Sequence, residues 1–486
     1  MRIFKPMFVA TLAVVTLASC GSVKNVAVPT METSVTMVAK KGVVSEEQSN
    51  HWAHADLATD TIPGMSVDKA YKFLEGKTGV TVIVAVIDSG IDIEHEDLKD
   101  VIWTNLKEIA GNGIDDDKNG FVDDIHGWNF LGGNGVSAPE QLEITRIVAE
   151  MNLRFEGKTM ETISENEKAD FEKHQEYLEV FNKAAERNIQ TAVRLNKIGE
   201  SFAGIKTFLG KDTFTIEDLQ AVKTEDETLQ GQIDDILGLL SRGLDEKGYL
   251  EYYETFKKNK QYDLNFDGRA IVGDNPTDIN DTNYGNNNVL GSKDDETHGT
   301  HVSGIILASR NNGVGMNGVA TNAKLMSVRA VPDGDERDKD VALAIRYAVD
   351  NGAKVINMSF GKAYSPYRHW VFDAIKHAEK HDVLLVHAAG NSGQDIDVES
   401  NWPNDSMDKV LEITDNVLTI GAMSVNYDEN LPASFSNYGK LNVDVFAPGV
   451  QIYSTFPKNE YQKISGTSMA SPEVAGIAAL VRSYYP

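Results

Sequence analysis

A run of eight mostly β-branched residues at positions 80–87 is the sequence feature that most constrains the fold. Apolar and polar side chains do not alternate along this run as they would in a half-exposed strand, so it predicts a buried central strand of a parallel sheet. Similar blocks recur at 324–330, 354–358, 383–387 and 417–421, with helical patterns at 340–350 and 366–381. This alternation predicts an α/β fold with a doubly wound, mostly parallel sheet.

Composition excludes several classes of protein. The chain has 486 residues, 41% of them hydrophobic, and a formal net charge of −27. Such an acidic chain does not favour nucleic acid or an anionic lipid surface as its main partner. A single cysteine also excludes an intramolecular disulfide scaffold.

The first twenty residues have the pattern of an export signal. Arg2 and Lys5 precede an apolar stretch over 7–18, which is too short to span a bilayer, and Leu-Ala-Ser-Cys ends at Cys20. The stretch resembles a bacterial lipoprotein signal peptide. That resemblance implies a lipidated Cys20 and an extracytoplasmic chain anchored to a cell-envelope membrane, whereas the alternative is a cleaved secretory signal with a chance cysteine. The weakly patterned residues 21–64 are interpreted as a tether and lead-in.

Residues 138–262 predict a helical insertion. Capping boxes stand at 137–140, 215–218 and 224–227, and each marks a helix start. An apolar stripe near heptad spacing predicts one long amphipathic helix and consists of Phe171, Leu178, Phe181, Ala185, Ala192, Leu195 and Phe202. A lid, a docking surface, a buttress and plain solvated helices all remain open as its role.

Four separated motifs carry the candidate chemistry. Asp88 ends the first predicted strand, and His298 starts a small-residue segment that favours close helix packing. Asn391 follows a buried strand, and Ser468 precedes an apolar helix whose N-terminus favours developing negative charge. A nucleophilic serine needs a base, a carboxylate to orient that base, and donors for an oxyanion. Neither Asp nor His follows Ser468, which excludes the α/β-hydrolase order of serine, acid, histidine.

The four motifs together resemble the subtilisin-like serine proteases (subtilases, peptidase family S8), above all through Gly-Thr-Ser-Met-Ala at 466–470. The resemblance covers 65–137 and 263–486, the two parts of a catalytic domain, and implies a serine endopeptidase that cleaves polypeptides through an acyl-enzyme. It gives these roles: Asp88 the triad acid, His298 the base, Ser468 the nucleophile, Asn391 the oxyanion-hole side chain, Ser359, Phe360 and Gly361 the substrate-binding strand, and Ala388, Ala389 and Gly390 the opposite pocket wall. His301 is interpreted as structural.

Two departures from the family pattern leave alternatives open. The interval of 210 residues between Asp88 and His298 is long because of the insertion, and the sequence ends at Pro486, soon after the serine helix. We therefore expect the sequence to be cut short. An inactive subtilase-fold scaffold of the cell envelope and a peptide ligase remain alternatives to the protease.

The acidic residues cluster in two loops. Residues 88–124 carry 12 acidic and 3 basic side chains, and residues 263–296 carry 8 and 2. Clustered carboxylates repel one another unless a cation joins them. The first loop has EF-hand-like spacing and predicts a structural calcium site at Asp115, Asp117, Asn119 and Asp123, although position twelve is His126. Asp263, Asn265, Asp267, Gly268 and Asp274 repeat the spacing, and solvated polar turns are the alternative for both loops.

Overall fold

Seven parallel strands form the central sheet of the chain, which a computed structural model describes over residues 44–133, 138–241, 244–294 and 296–486. The strands are β1 Val82–Asp88, β2 Gly127–Asn129, β3 Ala323–Arg329, β4 Val355–Met358, β5 Leu384–Ala388, β6 Val417–Met423 and β7 Val445–Pro448. Their order across the sheet is β2-β3-β1-β4-β5-β6-β7. Strand β8, Ile452–Phe456, and strand β9, Glu460–Ile464, pair separately as an antiparallel hairpin. The predicted α/β class with a parallel sheet is confirmed.

Thirteen α-helices occur in the described residues. They are α1 Glu46–His51, α2 Leu57–Asp60, α3 Val67–Leu74, α4 Glu143–Arg154, α5 Lys168–Leu209, α6 Ile216–Gln220, α7 Glu227–Leu240, α8 Glu246–Lys258, α9 Arg269–Val272, α10 His298–Leu307, α11 Asp338–Asp350, α12 Arg368–Lys380 and α13 Thr467–Tyr484. None of them is long and apolar enough to cross a membrane.

Strand β1 is buried on both faces because helices cover the sheet from either side. Val84 and Val86 belong to one apolar cluster with residues of α10 and α13, while Ala85 and Ile87 belong to a second with residues of α11 and α12. Alternate side chains of a strand point to opposite faces, so a strand between two helical layers needs a continuous apolar run. This explains the block at 80–87.

Residues 44–64 are folded, which contradicts the predicted tether for this part of it. Helices α1 and α2 lie here, and Trp52 and Ile62 are buried in the same apolar cluster as Val84. The segment lacks periodicity because it forms short helical turns whose apolar residues insert singly into the apolar core beside the sheet. Residues 1–43, with Cys20 and the rest of the predicted signal and tether, lie outside the described residues.

The insertion is helical, but two of its three predicted helix starts are misplaced. The box at 215–218 caps α6. Helix α4 begins only at Glu143, because the carboxylate of Glu140 binds Arg337 instead, and Ser137 is outside the described residues. Helix α7 is capped by Asp226, whose carboxylate accepts the N–H groups of the next turn. The predicted stripe lies on α5, where Phe171, Phe181, Leu195 and Phe202 are buried.

Candidate active site

The end of β1 and the start of α10 bring an aspartate and a histidine together. Asp88 is the last residue of β1 and is 1% exposed, and His298 is the first residue of α10. A Cβ at Gly299 would collide with the carbonyl oxygen of Gly90, so only glycine lets the helix start approach this closely. As a result, Nδ1 of His298 lies 2.8 Å from Oδ1 of Asp88.

This contact fixes the protonation state of the imidazole. An ionised carboxylate only accepts hydrogen bonds, so Nδ1 of His298 carries the proton and Nε2 is left as an acceptor in the neutral ring. Desolvation lowers the pKa of His298. The charge and hydrogen bond of Asp88 raise it by more than desolvation lowers it, so the pKa of His298 lies above the usual value of 6.5. The pair therefore holds a histidine that can accept one proton on Nε2.

Ser468 is the second residue of α13, where backbone N–H groups have no partner within the helix. Its side chain is half-buried, and its hydroxyl donates to the carbonyl oxygen of Ser359 at 3.1 Å. The hydroxyl of Ser359 in turn donates to the carbonyl oxygen of Ser468 at 2.9 Å. These two bonds attach the start of α13 to the segment that follows β4.

Asn391 lines the same pocket as Ser468. Its Oδ1 accepts the backbone N–H of Thr467 at 2.8 Å and the hydroxyl of Thr467 at 3.0 Å. Because both bonds hold the oxygen of a planar amide, they also fix the direction of Nδ2 as a donor. The contact between Thr467 and Asn391 was not predicted from the sequence, in which Thr467 stands out only as the neighbour of Ser468.

A pocket of about 220 Å³ opens beside Ser468. Phe360, Gly361, Ala388 and Gly390 line it, as the resemblance implied. Ser359 and Ala389, which belong to the same two segments, do not line the pocket. The carbonyl oxygen of Ser359 accepts a hydrogen bond from the hydroxyl of Ser468, and Ala389 is fully buried.

Two further side chains that sequence reasoning missed hold the pocket walls. His387 is 1% exposed, and burial lowers its pKa to about 4, so it is neutral and its Nε2–H donates to the carbonyl of Phe360 at 2.8 Å. Asn437 donates from Nδ2 to the carbonyl of Ala389 at 2.8 Å. Gly390 has φ of +100° and its missing side chain leaves room for that amide. No spacing rule signals these contacts, which join segments far apart in the chain.

His301, predicted to be structural, is fully buried. Its Nε2 lies 3.1 Å from the carbonyl oxygens of Ile452 and Gln462, which tie α10 to the β8–β9 hairpin. Burial lowers its pKa to about 4, so the ring is neutral.

The first acidic loop holds a three-carboxylate cluster whose membership differs from the predicted site. Glu108, Asp115 and Asp117 offer carboxylate oxygens that all lie within 4.8 Å of one another. Asp123 is not part of this cluster, and its carboxylate accepts the N–H groups of residues 111–113. Asn119 uses its Oδ1 to accept the N–H of Phe121, within its own turn. Asp123 therefore lies outside the carboxylate cluster, and the role of Asn119 as a ligand stays a prediction.

The donor set of this cluster fits calcium. Hard carboxylate oxygens are the ligands that Ca²⁺ prefers. In the described residues Oε2 of Glu108 is buried and has no hydrogen-bond partner, and the nearest cation is Nζ of Lys107, 3.9 Å from Asp117.

The second acidic loop is neutralised by the protein itself. The side chain of Asp274 is fully buried, contacts the guanidinium of Arg269, and lies 2.6 Å from Nζ of Lys339. Arg269 also binds Asp340 at 2.7 Å. A carboxylate already paired with two cations does not require a metal, so the solvated-turn alternative fits Asp263, Asn265 and Asp267 better, and Asp274 is not a calcium ligand here.

A buried aspartate and a histidine thus meet at a sheet edge, a serine lies at a helix start, and an oriented amide lines the pocket beside that serine. The sequence profile of the subtilase family matches residues 79–486, and the chain belongs to that family.

Two curated relatives agree with this assignment. The chain is 41% identical over 218 residues to the thermophilic serine proteinase of Bacillus sp. (strain AK1), covering 45% of this chain and 48% of that protein. It is 38% identical over 194 residues to subtilisin DY of Bacillus licheniformis, covering 40% and 66%. A solved structure of a cold-adapted subtilisin-like serine proteinase matches with 33% identity and a TM-score of 0.32, covering 40% of this chain and 63% of that one. The matches thus span about half to two thirds of the relatives' lengths.

Proposed function

We propose that this protein is a serine endopeptidase that hydrolyses peptide bonds through an acyl-enzyme. The observation that carries the proposal is the 2.8 Å contact between Asp88 and His298, at the sheet edge where α13 presents Ser468. Family membership and the named serine proteinases among its relatives support it.

Acylation follows from the bonding capacity of these groups. The hydroxyl of Ser468 turns from the carbonyl of Ser359 towards Nε2 of His298, and Oγ attacks the substrate carbonyl carbon as the proton moves to Nε2. The oxyanion accepts hydrogen bonds from Nδ2 of Asn391 and the backbone N–H of Ser468. The C–N bond then breaks as His298 returns the proton to the leaving amine. Water repeats the sequence on the ester, which releases the acid and regenerates Ser468.

A fluorophosphonate probe tests the nucleophile. The folded, calcium-supplied protein should be labelled at Ser468, as read by peptide mass spectrometry, and should hydrolyse casein. Absence of both under these conditions would reject the proposal in favour of an inactive subtilase-fold scaffold, which the comparisons do not favour. Ligated instead of hydrolysed products would identify a peptide ligase.

A calcium ion held by Glu108, Asp115 and Asp117 is the second part of the proposal. When bound, the ion would neutralise the mutual repulsion of these carboxylates and stabilise the folded state by mass action. Chelation should lower the melting temperature of the protein, and Asp117→Asn should abolish that response. Asp267→Asn in the second acidic loop is the matched control and should retain it. An unchanged melt at several chelator concentrations would exclude the ion.

Export and anchoring through Cys20 form the third part. The apolar stretch before Cys20 supports an extracytoplasmic protein that is lipid-anchored to a bacterial cell-envelope membrane. Metabolic labelling with a fatty acid should mark the wild-type chain and leave Cys20→Ser unlabelled.

A further inference from the structure

A groove of about 700 Å³ lies between the helical insertion and the catalytic part of the chain. Helices α4 and α5 form one wall, and residues 363–369, which follow the substrate-binding segment, form the other. Ala363 and Ser400 line both this groove and the pocket that contains Ser468. The groove therefore adjoins the candidate active site.

The charge of the groove is opposite to that of the chain. Five arginine or lysine side chains and only two glutamates line the groove, whereas the whole chain has a formal net charge of −27. Three of the five are already paired: Arg146 with Glu143 at 2.5 Å, Arg154 with Asp170 at 2.7 Å, and Arg337 with Glu140 at 2.9 Å. A cluster of one sign in a concave surface attracts ligands of the other sign.

Two of the five cations are available to a ligand. Lys173 on α5 and Arg368 at the start of α12 are exposed, and no carboxylate of the described residues lies within ion-pair distance of either. Their present contacts are aromatic: Nζ of Lys173 is 5.5 Å from the ring centre of Tyr177, and the guanidinium of Arg368 is 5.4 Å from that of Trp402. Such contacts leave the hydrogen-bond donors of both cations free for carboxylates.

Aromatic side chains join the two walls. Tyr177 from the insertion packs edge-on against Tyr364 from the catalytic part, with ring centres 5.4 Å apart. Tyr and Trp give rigid contact surface with a polar tip, as in many peptide-binding sites.

The position of the groove indicates which part of a substrate would occupy it. His298 protonates the leaving amine, so the product C-terminal to the scissile bond departs on the His298 side. The groove instead adjoins the pocket lined by Phe360, Gly361 and Ser468, and the acyl part of the substrate is bonded to Ser468 in the proposed mechanism. An extended chain entering it therefore lies N-terminal to the scissile bond.

We infer that the insertion gives this enzyme a preference for substrates with acidic residues on the N-terminal side of the cleaved bond, bound by Lys173 and Arg368. This inference rests on the proposed peptidase function and names its substrate class. The insertion is then a specificity wall of the active site.

Matched peptides test the inference. One cleavable peptide is extended at its N-terminus by four glutamates or by four lysines, and the ratio of the two kcat/KM values is measured in a single preparation so that differences in folded fraction cancel. We expect a ratio of about three to ten at low salt, from two partly exposed charge contacts, and a smaller ratio at 0.5 M salt. The same extensions at the C-terminus should give a ratio of about one.

Charge-reversal variants connect the ratio to the groove. The double variant Lys173→Glu with Arg368→Glu should bring the ratio to one or below. Lys247→Glu with Lys258→Glu makes the same charge change on the exposed face of α8 and should keep the wild-type ratio. A wild-type ratio near one, or equal loss in both double variants, would overturn the inference while the proposed peptidase function stands.

A binding measurement separates the two proposals. Fluorescence anisotropy of the labelled glutamate peptide with Ser468→Ala should show tighter binding than the lysine peptide, and the Lys173 and Arg368 reversals added to it should abolish the difference. If the wild-type protein cleaves nothing but this difference is present, the proposed peptidase function fails and the groove remains a site for acidic peptides. Equal binding of the two peptides would reject the groove assignment whatever the activity.

Discussion

The sheet edge that holds Asp88 and the junction that anchors the insertion both bury charged side chains, but they use them differently. At the junction, Lys362 is 2% exposed and lies 2.7 Å from Glu143 and 2.8 Å from Asp338. Glu143 also binds Arg146, whose other nitrogen donates to the carbonyls of residues 141 and 335. Each buried charge in this group has several partners from both parts of the chain.

The sheet edge has spare bonding capacity instead. Oδ2 of Asp88 is buried without a hydrogen-bond partner in the described residues, and Nε2 of His298 is an open acceptor. The pKa values follow the same division. Burial would raise the pKa of Glu143, but Lys362 and Arg146 lower it to about 2, so this carboxyl stays ionised, whereas Asp88 holds the pKa of His298 above its usual value. Fully paired charges fix a junction, and incompletely paired ones remain available for chemistry.

Removal of the proposed nucleophile should have the largest effect on activity. Ser468→Ala should lower kcat on a peptide substrate by about 10⁶-fold, because no other group can form the acyl-enzyme. The melting temperature should change little, since only one partly exposed hydrogen bond is lost. Ser465→Ala, at an exposed serine three residues earlier, is the control and should keep activity within about twofold. Substantial turnover by Ser468→Ala would exclude the proposed role.

The charge of Asp88 comes next in expected effect. Asp88→Asn should lower kcat by about 10⁴-fold, because the imidazole loses both its favoured tautomer and its stabilising charge. Wild-type activity should fall as the pH drops through a pKa above 6.5, since protonated His298 cannot accept a proton, and the variant should move this limb to lower pH. Asp350→Asn removes the carboxylate from a surface His–Asp pair and should change neither property. A pH profile that is the same in wild type and Asp88→Asn would contradict the assigned contact.

Substitution of a buried charge at the junction should lower the stability of the protein. Lys362→Met leaves two buried carboxylates without their shared cation and should lower the free energy of unfolding by about 3–5 kcal/mol, measured by urea denaturation. Lys183→Met breaks an exposed pair with Glu179 on α5 and should cost less than about 1 kcal/mol. If the two variants lose equal stability, the junction is no tighter than an ordinary surface pair.

The same division explains what the sequence could predict. The continuous run ending in Asp88, and the motifs around His298, Asn391 and Ser468, are local, and strand ends of a parallel sheet converge at one edge. The junction is not local: Lys362 and Glu143 are 219 residues apart and neither stands in a motif.

The acidic loops show the same limit at shorter range. Glu108 joins the carboxylate cluster from outside the EF-hand-like spacing, while Asp123 turns to backbone N–H groups. Asp274 is neutralised by Lys339, 65 residues away. Spacing identifies which side chains could serve as ligands, but loop conformation and distant cations decide which of them remain available.

Substitution of Glu336 should have the smallest effect on stability, and the pH dependence of this effect tests the protonation state of a buried carboxyl at the junction. It is 2% exposed, and burial raises its pKa from 4.5 to about 8. Its carboxyl is therefore neutral in the folded state at pH 7 but ionised in the unfolded chain, so unfolding becomes progressively more favourable as the pH rises from 4.5 to about 8. Glu336→Gln removes this titration and should stabilise the protein by about 1–3 kcal/mol at pH 8 relative to its effect at pH 4.5. Glu200→Gln on the exposed face of α5 should show no such pH dependence, and an effect of Glu336→Gln that is the same at both pH values would mean that Glu336 is ionised in the folded junction.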